Sequence, residues 1–167
     1  YGAGGAGCAI SAAGGSGVDG GVIVWEYTGS GGADLAEWYE TDGNSFAGDI
    51  VTFGSQSFTY KTETGQHTVP IMKKAIAGDD LFGVVSTRPE ITMGDDITSI
   101  AKYPRLVALT GRVPVSVSTQ NGPIKKGNLL TASSIPGVAV RADKAGQIIG
   151  SALEDYDALP NEVGKIL

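Results

Sequence analysis

The chain has 167 residues, a length that fits one folded domain with an appendage and that can bury a core without disulfides or metals. Its net charge of -6 and sequence pI of about 4.6 provide no basic track for nucleic acid, so we expect no nucleic-acid partner. Glycine accounts for 26 residues and charged residues for only 18%, which favours an extracellular β-rich protein or fibre over a cytosolic enzyme.

Residues 1–33 are predicted to form a glycine-rich arm that carries one isolated strand. The run YGAGGAGCAISAAGGSGVDGG offers few side chains to bury and has a large entropy to lose on ordering. Residues 22–27 (VIVWEY) are β-branched and aromatic between glycines, which predicts a strand that adds to an edge of its own sheet or of a neighbouring copy. We therefore expect the arm to link copies of the chain. The residues assigned to this assembly contact are Val22, Ile23, Val24, Trp25 and Tyr27.

Residues 34–167 are predicted to form a single β domain. Residues 34–40 (DLAEWYE) have helix-compatible spacing and predict one helical turn. Strands are predicted at 46–53, 57–61, 69–77, 81–86, 106–109, 113–117, 128–131, 138–142 and 148–153, and the chain reaches 167 in strand-like sequence. A polar loop with His67 (62–68) and an acidic loop (89–100) are predicted between them. Short strands separated by turn signals, such as Asn121-Gly122-Pro123, indicate an all-β sandwich or barrel.

Several motifs of the β domain recur in one known group of proteins. They are DLAEWYE at 34–40, AGDIV at 47–51, LFGVVSTRP at 81–89, VALTGRVPV at 107–115, NGPIKKG at 121–127, SIPG at 134–137 and IGSALED at 149–155. In order and spacing the chain resembles the C-terminal domain of phage tail-fibre and neck-appendage proteins and of similar bacterial surface fibres. That group includes the intramolecular-chaperone autoproteolytic family. The resemblance implies a fibre-associated domain, and the glycine-rich arm is similar to the tips of tail fibres.

The resemblance also implies one candidate chemical site. In the self-cleaving family the chain is cut just before the aspartate of a D-x-x-E-x-x-E motif. Here the scissile bond would be Ala33-Asp34, with Asp34, Glu37 and Glu40 as the carboxylates. Carboxylates in a shared site push each other's pKa apart, which supplies an acid and a base. The alternative is that Glu37 and Glu40 are ordinary surface acids on a helical turn, docked by Trp38 and Tyr39.

Our leading expectation is a structural subunit of an extracellular fibre, at a cell surface or in a virion, whose partners are copies of itself. An autoproteolytic chaperone domain and a glycan-binding adhesin tip are the alternatives, the last with cell-surface glycans stacked on Trp25, Trp38 or Tyr39. One histidine rules out a multi-histidine metal site, and we expect no metal and no cofactor. No apolar run approaches the ~20 residues needed to span a bilayer, so we expect no membrane span.

Overall fold

The computed structural model describes residues 33–159 and 162–167, which form eleven strands and one short 3-10 helix, Asp95–Ile97. The strands are β1 (Asp34–Glu40), β2 (Ile50–Thr62), β3 (Gly65–Lys74), β4 (Gly83–Val85), β5 (Ile91–Met93), β6 (Pro104–Gly111), β7 (Val115–Val117), β8 (Leu129–Ala132), β9 (Ala139–Arg141), β10 (Gly150–Ser151) and β11 (Gly164–Ile166). The predicted arm, with its strand at 22–27, lies outside the described residues except for Ala33. Among the described residues, no helix has the length and apolar character needed to cross a lipid bilayer.

The strands are arranged in two sheets, which confirms the predicted all-β class. The first sheet has the order β3-β2-β4-β6-β1-β5, and its neighbours are antiparallel except for the parallel pair β1 and β5. The second sheet has the order β10-β8-β9-β7-β11, with one parallel pair, β7 and β9. Most strands coincide with the apolar runs between predicted turns, because those runs bury one face in the core.

Alternation along the strands of the first sheet sends neighbouring residues into two separate apolar clusters. Ile50 belongs to the main core, which it shares with Val117 and other residues of the second sheet, whereas Val51 lies in a smaller cluster. Val84 and Val85 divide in the same way, as period-two geometry requires. The smaller cluster is covered by Tyr39 and Phe82, so the first sheet has an outer face that the second sheet does not cover. The members of the smaller cluster are Val51, Met72, Val85 and Val107.

The predicted helical turn at residues 34–40 is wrong, because this segment is strand β1. Every residue from Asp34 to Glu40 is in register with β6, with one irregularity between Leu35 and Ala36. The buried positions Asp34, Ala36 and Glu40 follow the alternation of a strand rather than the spacing of a helix. Pairing with a strand about 70 residues away therefore overrides the local helical preference of this sequence.

The predictions for residues 57–68 are also wrong in part. Residues 57–61 are not a separate strand but the continuation of β2, and most of the predicted polar loop belongs to the hairpin of β2 and β3. The turn is tight and is supported by Thr62, whose hydroxyl accepts a hydrogen bond from the Thr64 amide at 3.2 Å. Beyond Phe53, within the described residues, β2 pairs with β3 alone. One face of this hairpin is exposed and the other, which carries Phe58, Tyr60 and Val69, is half-buried, so the polar residues near the turn resemble a loop in the sequence.

The predicted acidic loop at 89–100 contains regular structure. Strand β5 pairs in parallel with β1 at the edge of the first sheet, and the 3-10 helix follows directly. Gly94 has φ 74° and marks the point where the chain turns from the strand into that helix. The segment is short and largely exposed, so its sequence lacks the apolar periodicity that would predict a strand.

Candidate functional site

The three carboxylates predicted from the sequence lie along β1 but do not meet in one cluster within the chain. Asp34 and Glu40 belong to the same face of the strand, at opposite ends of it, about 20 Å apart at the usual rise of ~3.3 Å per residue. Glu37 lies on the other face, together with Tyr39. Each carboxylate therefore has its own surroundings and its own role.

Glu40 stabilises the loop that leads into β6. Its side chain is 4% exposed, and its two carboxylate oxygens accept hydrogen bonds from the backbone amides of Lys102 (2.6 Å) and Tyr103 (2.9 Å). A carboxylate that accepts two backbone N–H groups in a buried position is a strong tether. The structure therefore assigns Glu40 to holding this loop.

Glu37 is engaged on the outer face of the first sheet. Its Oε2 accepts a hydrogen bond from the Tyr39 hydroxyl at 2.7 Å. Burial of the phenol raises the pKa of Tyr39 well above its usual value, and the hydrogen bond to Glu37 and its charge add to that shift. A Cβ added at Gly94 would lie 3.1 Å from Glu37 Cγ, so the loop after β5 packs closely on this carboxylate.

Asp34 differs from the other two because part of its carboxylate has no partner. The residue is 6% exposed, and within the described part of the chain no group forms a hydrogen bond with its Oδ2. A buried polar atom without a partner costs free energy, so each one calls for an explanation. Asp34 is therefore the carboxylate with an unused capacity to accept a proton or a hydrogen bond.

The backbone on both sides of the Ala33-Asp34 peptide bond is held by neighbouring segments. The Ala33 carbonyl accepts a hydrogen bond from the Arg112 amide, and the Asp34 carbonyl accepts one from the Glu90 amide, both at 2.9 Å. Gly111 packs directly against this bond with φ 114°, and a Cβ there would meet the Ala33 carbonyl oxygen and lie 2.5 Å from Asp34 Cα. A close backbone approach of this kind requires glycine.

A cleft of about 400 Å³ opens beside the same bond. Two arginines, Arg88 and Arg112, line it, so the cleft carries positive charge beside the Ala33-Asp34 bond. Cationic donors stabilise negative charge that develops on an oxygen during acyl chemistry. The residues that line the cleft are Ala33, Asp34, Thr87, Arg88, Arg112, Pro114 and Leu167.

Sequence reasoning missed the roles of Gly111, Arg88 and Arg112 in this cleft. They lie 54 to 78 positions from Asp34 along the chain, so only the pairing of β1 with β6 and β5 brings them together. The available signal was one arginine within three residues of the end of each of two apolar strands, Arg88 after β4 and Arg112 after β6.

Among the described residues, the predicted glycan-stacking residues Trp38 and Tyr39 do not line this cleft. The assembly residues Val22, Ile23, Val24, Trp25 and Tyr27 lie outside the described residues. Across 33–159 and 162–167 no group of three histidine, cysteine or acidic side chains could hold a metal ion. Trp38 is only half-buried, and Tyr39 packs edge-on against Phe82 with ring centroids 5.1 Å apart.

Comparison with known proteins identifies the fold. No protein-family model matches the chain, and no curated protein matches it. The structure is similar to that of pre-mature bacteriophage phi29 gene product 12, with a TM-score of 0.59 and 16% identity over 92% of this chain, which spans 23% of that protein. It is also similar to the C-terminal fragment of bacteriophage phi29 gene product 12, with a TM-score of 0.52 and 18% identity over 80% of this chain and 99% of the fragment. At these identities the likeness establishes the shared fold.

Proposed function

We propose that the chain is the C-terminal domain of a phage appendage-type fibre protein, part of a virion, that associates with copies of itself to assemble the fibre. The observation that carries this proposal is the match to nearly the whole C-terminal fragment of phi29 gene product 12. The resemblance of the sequence motifs to those of tail-fibre and neck-appendage domains supports the same proposal. On this reading the domain is a structural and folding element rather than a turnover enzyme.

The outer face of the first sheet is the surface that fits self-association. Phe53 is 46% exposed and its ring is tilted against that of Phe82 with centroids 4.9 Å apart, and Tyr39 packs edge-on against Phe82. On the same face Leu35 is in register with Ile91, which is 36% exposed on the edge strand β5. Exposed apolar side chains on a sheet face that no second layer covers are typical of an interaction site.

The outer-face contact is tested by light scattering after size exclusion, with a chain that starts at Ser30 so that contacts made by the arm do not contribute. We expect an oligomer for the wild type and a monomer for Phe53→Glu, because a charge in the aromatic cluster cannot be desolvated without a partner. Leu159→Glu is the matched control: Leu159 is 69% exposed, and the substitution should leave the oligomer intact. A monomeric wild type at tens of micromolar, or an oligomeric Phe53→Glu, would contradict the assignment.

The glycine-rich arm is proposed to link neighbouring copies through Val22, Ile23, Val24, Trp25 and Tyr27. A chain that starts at Ser30 should remain folded, because the two sheets lie in residues 33–159 and 162–167, but it should lose any filaments that the full chain forms. Electron microscopy of both chains distinguishes the outcomes. Filaments formed by the shortened chain would show that the arm does not link copies.

Self-cleavage at Ala33-Asp34 is the second candidate function, and the unpartnered Asp34 carboxylate beside that bond favours it. Asp34 would take a proton from a water molecule whose oxygen then bonds to the Ala33 carbonyl carbon. The carbon–nitrogen bond breaks and the Asp34 amino nitrogen receives the proton, while Arg88 and Arg112 stabilise the charge on the carbonyl oxygen. The two products are residues 1–33 and 34–167.

Intact-mass measurement during incubation tests the cleavage directly. Asp34→Asn should block the cut, whereas Asp96→Asn, an exposed acid on the 3-10 helix, should leave it unchanged. Glu37→Gln tests whether the predicted carboxylate on the other face of β1 takes part in the cut. Loss of cutting in that variant assigns Glu37 a role across copies, and cutting at the wild-type rate removes it from the catalytic set. A wild-type chain that never shortens would end this hypothesis.

A further inference from the structure

The second sheet carries a groove lined mostly by polar residues. It shares no residue with the cleft beside the Ala33-Asp34 bond. Its volume is about 570 Å³, within the ~300–1,000 Å³ typical of small-molecule sites. Strands β8 and β9 supply the floor, and three loops supply the rim. The floor is lined by Thr131, Ala132, Ser133 and Val140, and the rim by residues 77–80, Gln120, Asn121, Ser134 and 143–147.

Gln147 connects two of these loops to the floor and fixes the shape of the groove. Its Oε1 accepts a hydrogen bond from the Leu81 amide (2.6 Å), and its Nε2 donates one to Asp80 Oδ1 (2.8 Å). Its backbone carbonyl accepts a hydrogen bond from the Thr131 hydroxyl at 2.9 Å. A groove held open by such contacts does not have to be ordered when a ligand enters, which favours binding.

The rim also contains polar groups that the protein itself leaves unused. In the part of the chain that the structure describes, no hydrogen bond or ion pair engages the side chains of Asp143 and Lys144. Gln120 accepts a hydrogen bond from the Ser134 hydroxyl through Oε1, and its amide nitrogen has no acceptor there. The groove therefore offers acceptors and donors at the same time.

These groups select among ligand classes. Phosphates and other anions are disfavoured because Asp79, Asp80 and Asp143 outnumber Lys144 around the rim. Apolar ligands are disfavoured because the floor and rim are rich in hydroxyl, amide and carboxylate groups. A sugar hydroxyl is both a donor and an acceptor, so carboxylates and amides can each bind it. We propose that this groove binds a neutral saccharide, as a site separate from the proposed assembly function.

The first experiment is an array of neutral, sialylated and phosphorylated glycans probed with the full chain. The strongest neutral glycan is then titrated into isotope-labelled protein and followed by amide chemical shifts. We expect binding to neutral glycans with shifts confined to the groove. Absence of binding to neutral glycans, a response only to acidic glycans, or the same shifts with calcium ions alone would each overturn the proposal.

Two substitutions locate the binding. Asp143→Ala should weaken it about tenfold, the usual loss for a hydrogen bond to a charged group, while Glu63→Ala, an exposed acid at the distant hairpin turn, should not change it. Gly146→Trp should abolish binding by filling the groove, since no atom lies within 4 Å of a Cβ built there. Thermal unfolding checks that both groove variants remain folded. Unchanged binding in both would show that the glycan sits elsewhere.

Discussion

Replacement of Glu40 tests the role of this residue in β1 most directly. Its motif predicted a catalytic carboxylate, whereas in the structure Glu40 holds the loop before β6. Glu40→Ala removes two hydrogen bonds, to the backbone amides of Lys102 and Tyr103, from a side chain that is only 4% exposed. Each hydrogen bond to a charged group contributes ~1.5–3 kcal/mol, so the free energy of unfolding should fall by about 3–6 kcal/mol. That is a large part of the ~5–15 kcal/mol typical of a folded domain.

Glu40→Gln makes the test quantitative, because it keeps the shape of the side chain. One amide oxygen can still accept from one backbone N–H, whereas the new NH₂ group faces the other donor. We therefore expect a loss of about 1.5–3 kcal/mol, roughly half that of Glu40→Ala. Urea unfolding followed by circular dichroism measures both variants, provided that the slope with denaturant is unchanged.

Glu63 supplies the control for this series. It is exposed at the turn of the β2–β3 hairpin, so Glu63→Gln and Glu63→Ala should stay within about 0.5 kcal/mol of the wild type. A free energy of unfolding for Glu40→Ala within about 1 kcal/mol of the wild type would show that Glu40 does not hold the loop. If the chain cuts itself, a folded Glu40→Gln should cut at the wild-type rate, and loss of cutting would restore Glu40 to the catalytic set.

Two further predictions concern the same strand. Tyr39→Phe removes the hydrogen bond to Glu37 and should lower the free energy of unfolding by about 1 kcal/mol near neutral pH. The pKa of Tyr39 is higher in the folded state than its ordinary value of 10.0, so its contribution to stability is complete below about pH 10 and is lost as the pH rises further. In urea titrations at alkaline pH, the difference in unfolding free energy between wild type and Tyr39→Phe should therefore narrow. A constant difference would show that the phenol is unperturbed. Gly111→Ala places a methyl group against the backbone of β1 at a positive φ and should lower the free energy of unfolding by at least ~2 kcal/mol. Gly146→Ala is the control: the space around Gly146 is open, so its free energy of unfolding should change little. Equal melting temperatures for the two variants would contradict the close approach at Gly111.

The local pattern of the sequence was sufficient for the fold class and for most strand positions. Short apolar runs between turn residues such as Asn121-Gly122-Pro123 predicted the strands of the second sheet, because period-two burial and turn chemistry depend on adjacent residues. The same signals failed at residues 57–68. There half-buried residues such as Phe58 and Tyr60 alternate with exposed ones, but the polar residues on both sides of the turn do not show where each strand ends.

The tertiary structure decided what the acidic stretch at 34–40 is and what each of its carboxylates does. Its spacing suits a helical turn, and only the hydrogen bonds of β6 turn it into a strand that separates Glu37 from Asp34 and Glu40 onto opposite faces. Tyr103, whose amide donates to Glu40, and Gly111, which packs against the backbone at Asp34, each lie more than 60 positions from the residue they contact. The sequence alone therefore determined an all-β chain with an acidic motif. Which carboxylate stabilises a loop, and which remains available beside the Ala33-Asp34 bond, depends on burial and on pairing between distant strands. A short stretch of sequence contains neither kind of information.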